Sequence, residues 1–528
     1  MKCGEEKPAC IRCTSTGRKC EYEGQISAPF ANFALSPSPN TVWRERRAFA
    51  YYFQQAAPCV GGGLDAEFWR TIVPQVCRSE PAVWDAVISI SALFESPEPC
   101  PDLVLSRSSR ALNQSHQDAL GWYSRAVSVV RQRIDQGNID TFVGLISCML
   151  FICIEALQGS VDTALQLYQQ RVHLIRDFRT QVASRTVSAM QASWLEDTIV
   201  PIFDRLGTVA LSVSGIPVTA LLRDTERAAI QGFTSLKSAR ETIVLLAGET
   251  RIFQLNYEEY CSNHSAEGAP TLSELSNQQS ILLATLRSWH MAFTRLMDDL
   301  ATKGISLQET GTGALLSTYY EMQLIILETG LSSLQTATDA YLPNFQNIIS
   351  QSRLALEASA RPDGTQPPYS FDIGVGLPLW FTCLRCRDPT TRREATALLR
   401  LAPQVQGFHK SEPIASFGDR IILLEEQKAL AASANREMSP ESSSTTIGLH
   451  PDADTNASAA DVVPEEARIG PIGVFRSTVE ACPGVPEQEM MIQGDDATDR
   501  TFLRFSRNER SPDTGGWQSV NECIPFDV

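Results

Sequence analysis

The sequence predicts an all-α fold: a helical regulatory body, preceded by a small N-terminal cysteine segment and carrying a disordered acidic stretch near the C-terminus. Three observations lead there. Apolar residues recur at three- and four-residue intervals through most of the chain. No alternating two-residue pattern persists, and no βαβ rhythm appears. The 528 residues, 43% hydrophobic and 20% charged, also suffice for a large buried core.

The elements follow in chain order. Residues 1–24 hold a dense group of cysteines, and residues 25–43 read as a linker, because "GQISAPFANFALSPSPN" is rich in Pro and Ser, which break periodic structure. The helical body is expected over 44–430. In "SEPAVWDAVISISALF", Ser79 is placed as an N-cap with Pro81 in the first turn, and Val83, Val87, Ile90 and Phe94 fall on one face. "FVGLISCMLFICIEAL" (142–157) is nearly all apolar, yet it is shorter than the roughly 20 residues a bilayer requires and carries Glu155, so it is expected to be a core helix. "DTALQLYQQRVHLIRDF" places Leu165, Tyr168, Val172 and Ile175 together. Further helical runs lie at 193–211, 240–256, 279–300, 314–333 and 391–401. From 431 to 499 the chain is rich in Ser, Thr, Pro, Asp and Glu, cannot bury enough apolar surface to offset its ordering entropy, and is expected to be a solvated segment; a more apolar tail covers 500–528.

Charge and chemistry exclude several classes. A net charge of −16 argues against a nucleic-acid-coating surface over the bulk of the chain, so any DNA contact must be local. Fourteen cysteines, thinly spread after residue 20, with no signal-like N-terminus, point to a reducing intracellular compartment rather than a disulfide framework. "GGG" at 61–63 lacks the Lys-Ser/Thr of a phosphate loop, and no nucleophile elbow, zinc-protease helix or dinucleotide fingerprint appears. The chain is not expected to be an enzyme. Cys383 and Cys386, Cys148 and Cys153 read as buried core thiols, and His173 and His290 as packing residues.

The N-terminal cysteines are different. Cys3, Cys10, Cys13 and Cys20 are spaced C-x6-C-x2-C-x6-C, and the central C-x2-C lets two sulfurs reach one ion from a short loop. Thiolates suit zinc, which takes about four at tetrahedral corners.

"KCGEEKPACIRCTSTGRKCEYEG" resembles the second half of the fungal six-cysteine binuclear zinc cluster, with the four cysteines matching its third to sixth, Pro8 its loop proline and "GRKCEY" its closing residues. "FWRTIVPQVCRSEPAVWDAVISISALFE", "MLFICIEALQGSVDTAL" and "FDIGVGLPLWFTCLRCRDPTTRREATALL" resemble the helical regulatory region that follows such clusters, so the similarity runs with gaps over about 45–403. The resemblance implies a nuclear, sequence-specific transcription regulator, of a type that often switches on secondary-metabolite genes. It implies zinc on Cys3, Cys10, Cys13 and Cys20, with Cys10 bridging; Lys2 on DNA; and Arg18 and Lys19 on phosphates. It implies promoter DNA, the transcription machinery or co-regulators as partners, and a homodimer as one assembly, although no sustained heptads follow Cys20. No membrane association is expected.

This chain departs from the pattern in lacking the first two cysteines and most of the basic helix between the halves. Residues 1–24 carry five Lys or Arg against four acidic residues, a balance of +1. Three expectations stay open: codons upstream complete the cluster, which would then hold two zinc ions; the DNA-reading half is lost; or the four thiolates hold a single zinc. A helical co-regulator that acts through protein partners without touching DNA is the alternative.

Overall fold

In this computed structural model the described residues are 43–97, 113–137, 140–171, 173–214, 230, 232–262, 270–437, 463–476, 501–511 and 515–525. The architecture that follows is that of the described residues from 48 onward, which belong to one compact unit.

At its centre stands helix α1 (Pro81–Glu95), with Val83, Val87, Ile90 and Phe94 all at most 1% exposed. A helix buried around most of its circumference has to sit between others. α2 (Gln114–Asp135) and α3 (Thr141–Leu157) cover it, and Ser89 Oγ donates to the Ala119 carbonyl at 2.9 Å. α3 is the expected core helix: Asp140 caps it by accepting from Val143 N, and Cys148 and Cys153 are buried in it as expected. Among the described residues no helix is long and apolar enough to cross a membrane.

Pro81, not Ser79, decides where α1 begins. The N-cap is Glu80, in an extended conformation, because proline's fixed φ suits the first helical position. Ser79 instead donates its hydroxyl to the Val76 carbonyl. Leu165, Tyr168 and Ile175 are buried as expected, but they divide between helices Val161–Arg171 and His173–Ala183, with Val172 outside the described residues.

The second half of the body is a layered stack of helices. α4 (Val200–Ser214) packs on α5 (Leu236–Ser262), which meets α6 (Leu272–Lys303) and α7 (Leu307–Thr329); α7 lies along α8 (Leu342–Ser359). Polar side chains tie these helices through carbonyls of α5: Trp289 Nε1 donates to Ala239 at 2.9 Å and Gln323 Nε2 to Ile243 at 3.3 Å. Capping boxes start α6 at Thr271/Glu274 and α7 at Ser306/Glu309. α9 (Gly376–Arg385), α10 (Pro389–Leu401) and α11 (Ser411–Glu437) close the body. Between α8 and α11 run three two-residue strands, β1 (Tyr369–Ser370), β2 (Val405–Gln406) and β3 (His409–Lys410), ordered β1-β2-β3. Gly407, at φ +57°, makes the two-residue turn between β2 and β3.

The all-α class holds for this body, and the C-terminal region corrects its edges. Residues 431–437 are the last turns of α11, whereas 463–476 contain a 3₁₀ turn, Glu465–Ala467, and strand β4 (Gly470–Arg476). The other residues of the expected solvated segment lie outside the described ones. The tail forms β5 (Thr501–Arg510) and β6 (Trp517–Pro525), giving an antiparallel sheet β4-β5-β6. Among the described residues of β5 only Leu503 and Phe505 are buried, an alternation two residues deep and too brief to register as a pattern.

Candidate functional site: a cavity over a buried charge cluster

The zinc ligands expected at Cys3, Cys10, Cys13 and Cys20 and the DNA contacts expected at Lys2, Arg18 and Lys19 lie outside the described residues. Among the described residues no group of three or more His, Cys, Asp or Glu could hold a metal ion. Cys383 and Cys386 are 0% and 2% exposed, and burial pushes their thiols up to about 12 and about 11, so they stay protonated and inert at neutral pH. His290 stacks on Tyr320 with ring centroids 4.0 Å apart, but like His173 it is exposed.

The chemistry of the body gathers elsewhere. A cavity of about 230 Å³ opens between the 58–64 turn, α7, α8 and the 367–375 loop. Its walls are mostly apolar, with Leu315, Leu316 and Leu356 among them, and its polar lining includes Gln308, Arg240 and Asp372. The triple glycine belongs here. A Cβ on Gly61 would fall 2.3 Å from the Trp69 ring, and Gly62 sits at φ +56°, so the turn needs glycine for close approach at one position and for a left-handed backbone at the next.

Beneath the cavity four charged side chains from four elements meet. Asp65 follows the glycine turn, Arg205 comes from α4, Arg240 from α5 and Asp372 from the loop after β1. Arg240 pairs with Asp65 at 2.7 Å and with Asp372; Arg205 reaches Asp65 and lies 3.1 Å from Asp372. Asp65, Arg205 and Arg240 are at most 4% exposed. Burial alone would raise the Asp65 carboxyl, but the two guanidiniums outweigh it and hold it below the usual carboxylate range. Two positive and two negative charges balance, so the cluster can be buried without a stranded ion. It also couples four elements of the fold, because the glycine turn, α4, α5 and the loop after β1 must all be in place before every pair is made.

Aromatic and backbone contacts reinforce the junction. Phe371 N donates to the Val60 carbonyl at 3.0 Å, the Phe371 ring meets Trp69 edge-on at 5.1 Å, and Tyr319 OH donates to Gly374 O at 3.1 Å. The Phe371–Trp69 contact joins the first and third of the resemblance strings. Nothing in the arrangement pairs a nucleophile with a base. Sequence reasoning missed the quartet. The signal present was an arginine inside each of two apolar helical runs, "IFDRLGTVAL" and "SARETIVLLAG", but nothing local named the aspartates.

The comparisons agree with a regulatory body. Residues 47–200 match the family described as the Fungal specific transcription factor domain, a span that includes the glycine turn, Asp65 and α1 to α3. The chain is 22% identical over 375 residues to the transcription regulator lscL of Purpureocillium lilacinum, covering 63% of this chain and 85% of that protein. It is 23% identical over 253 residues to the Aspercryptin biosynthesis cluster-specific transcription regulator atnN of Emericella nidulans, covering 39% of this chain and 40% of that protein. No solved structure matches the chain. Both relatives are regulators, in line with the expectation of a non-enzyme. Residues 47–200 therefore resemble the Fungal specific transcription factor domain, and the chain is similar over part of its length to two fungal transcription regulators.

Proposed function

We propose that this chain is a sequence-specific transcription regulator of the fungal zinc-cluster type, acting in the nucleus on a secondary-metabolite gene cluster. One observation carries the reading: a C-x6-C-x2-C-x6-C segment with zinc-ligand spacing precedes, in the same chain, a match to the fungal transcription factor domain. The Emericella nidulans relative is specific to a biosynthesis cluster, which supports the choice of target class.

In this reading Cys3, Cys10, Cys13 and Cys20 hold zinc through their thiolates, and four such donors complete one tetrahedral ion. Lys2 lies against DNA, and Arg18 and Lys19 take phosphates without reading sequence. The helical body, with its cavity and charge cluster, is the regulatory part. The test is zinc content followed by DNA selection. Purified chain should release zinc when its N-terminal thiols are modified and lose it on Cys10→Ala. It should then enrich a defined site from random duplexes, with log affinity falling by about 0.9 per phosphate contact per decade of salt. A chain that binds no zinc would sink the proposal.

The balance of +1 over residues 1–24 favours a second reading, because so little charge can neutralise few phosphates. Here the chain is a helical co-regulator acting through protein partners. Zinc uptake with no enriched DNA sequence would select it.

A further inference from the structure

The C-terminal segment is held on the body in the manner of a bound peptide. The 3₁₀ helix Gln335–Tyr341 begins after Leu334, which offers no capping side chain. Glu465 supplies the cap from 130 residues away: its two carboxylate oxygens accept from Gln335 N at 2.9 Å and Thr336 N at 2.8 Å. Three residues on, Arg468, 0% exposed, grips both oxygens of Asp339 at 2.7 and 2.6 Å and donates to the Gln335 carbonyl at 3.2 Å. Ile469 N then donates at 2.7 Å to Glu425. That carboxylate is fully buried in α11 between Arg387, at 2.8 Å, and Arg392, at 2.7 Å. The Ile469 side chain enters an apolar cluster with Phe417 and Ile421 of α11 and with Leu503 and Phe505 of β5, and this cluster is separate from the main core.

Two features distinguish this seam from ordinary core packing. Its specificity is directional and charge-matched, reading an acid, an arginine three residues later and an apolar residue next. Among the described residues its separate apolar cluster holds five buried side chains, so lifting the segment exposes little of the main core.

We propose that the face built from Gln335–Asp339, Arg387 and Glu425 is a recognition groove for a Glu-x-x-Arg-apolar peptide that makes a 3₁₀ turn between its acid and its arginine. The chain fills this groove reversibly with its own residues 463–469, and the β4-β5-β6 sheet comes and goes with them. The groove is thereby a site that a second chain bearing the same pattern can occupy when the tail lifts.

The test uses the full chain with a specific protease site inserted between residues 438 and 462. After cleavage, the C-terminal fragment should co-elute with the helical body on gel filtration. In the cut chain carrying Glu465→Ala and Arg468→Ala, retention should weaken about a hundredfold or more, because buried charges lose their partners. An excess of synthetic peptide 463–470 should accelerate release of the wild-type fragment, while the same peptide altered at both positions should not. Arg468→Lys keeps the charge but loses the two-pronged grip, and should fall between. Residues 465 and 468 lie outside the helical body, so an unchanged helical circular-dichroism signal will show that the variants are folded. Fragments that separate at once on cleavage, or a double variant that holds its fragment as tightly as wild type, would each overturn the proposal. So would a cut chain that elutes as an intertwined dimer, since the segment would then be docked between copies.

Discussion

Two buried charge clusters hold this molecule, and they differ in what they join. The quartet of Asp65, Arg205, Arg240 and Asp372 lies in the main core under the cavity and ties together four elements of the helical body. The seam around Glu425, Arg387, Arg392, Asp339 and Arg468 ties that body to a segment arriving after residue 462. The first is surrounded by the large core, so opening it means unfolding. The second borders a small apolar cluster of its own, so opening it need only lift the tail. The lesson is that an ion pair's role follows from how much apolar surface must be exposed to reach it, not from its hydrogen-bond lengths.

The largest effect should come from the quartet. Arg240→Met leaves Asp65 and Asp372 with a single guanidinium between them, and should cost about 3–5 kcal/mol of global stability in urea unfolding. A loss below about 1 kcal/mol would erase the distinction between the clusters. Next in size is Gly311→Ala on the cavity wall. The added Cβ would lie 2.1 Å from Ala358 Cβ, so α7 and α8 must part, at about 1–3 kcal/mol by thermal melting.

Acid should separate the two regions in time. His409, buried in the β2-β3 hairpin, has its pKa pushed down to about 4 by desolvation. The unfolded chain, with histidine near its usual value of about 6.5, binds that proton more readily. His409's contribution to the body's stability is therefore full above about pH 6.5 and falls toward pH 4, with a slope of at most about 1.4 kcal/mol per pH unit. Burial pushes the Glu465 carboxyl up, but the amides of Gln335 and Thr336, with Asn508, outweigh it and lower its pKa. Its contribution at the seam is full above the ordinary glutamate value of about 4.3 and disappears as pH falls through the lower folded value. Equilibrium unfolding and tail proteolysis against pH should thus show the body weakening first. Tail release that begins near pH 6 would contradict this order.

The smallest global effect is expected from Arg468→Ala. Amide exchange over 463–476 and 501–525 should accelerate, while the unfolding free energy of the helical body changes by less than about 0.5 kcal/mol. A change as large as that of Arg240→Met would show that tail and body unfold as one.

By itself the sequence determined the helical class, the burial of α1 and α3, and the inert setting of Cys383 and Cys386, because these depend on spacing and composition within a few turns of chain. It also carried the cysteine spacing and the strings that pointed to a fungal regulator. Only the tertiary structure decided that the glycine triplet is a close-approach turn beside a cavity. It alone paired Asp65 with Arg205 and Arg240 across 140 and 175 residues. It also showed that a segment inside an acidic, Ser-rich stretch ends in a docked strand. Each of those outcomes depends on charges and backbone groups meeting their partners across the fold. A buried ion is tolerated only where its counter-ion arrives, and local sequence does not encode where that is.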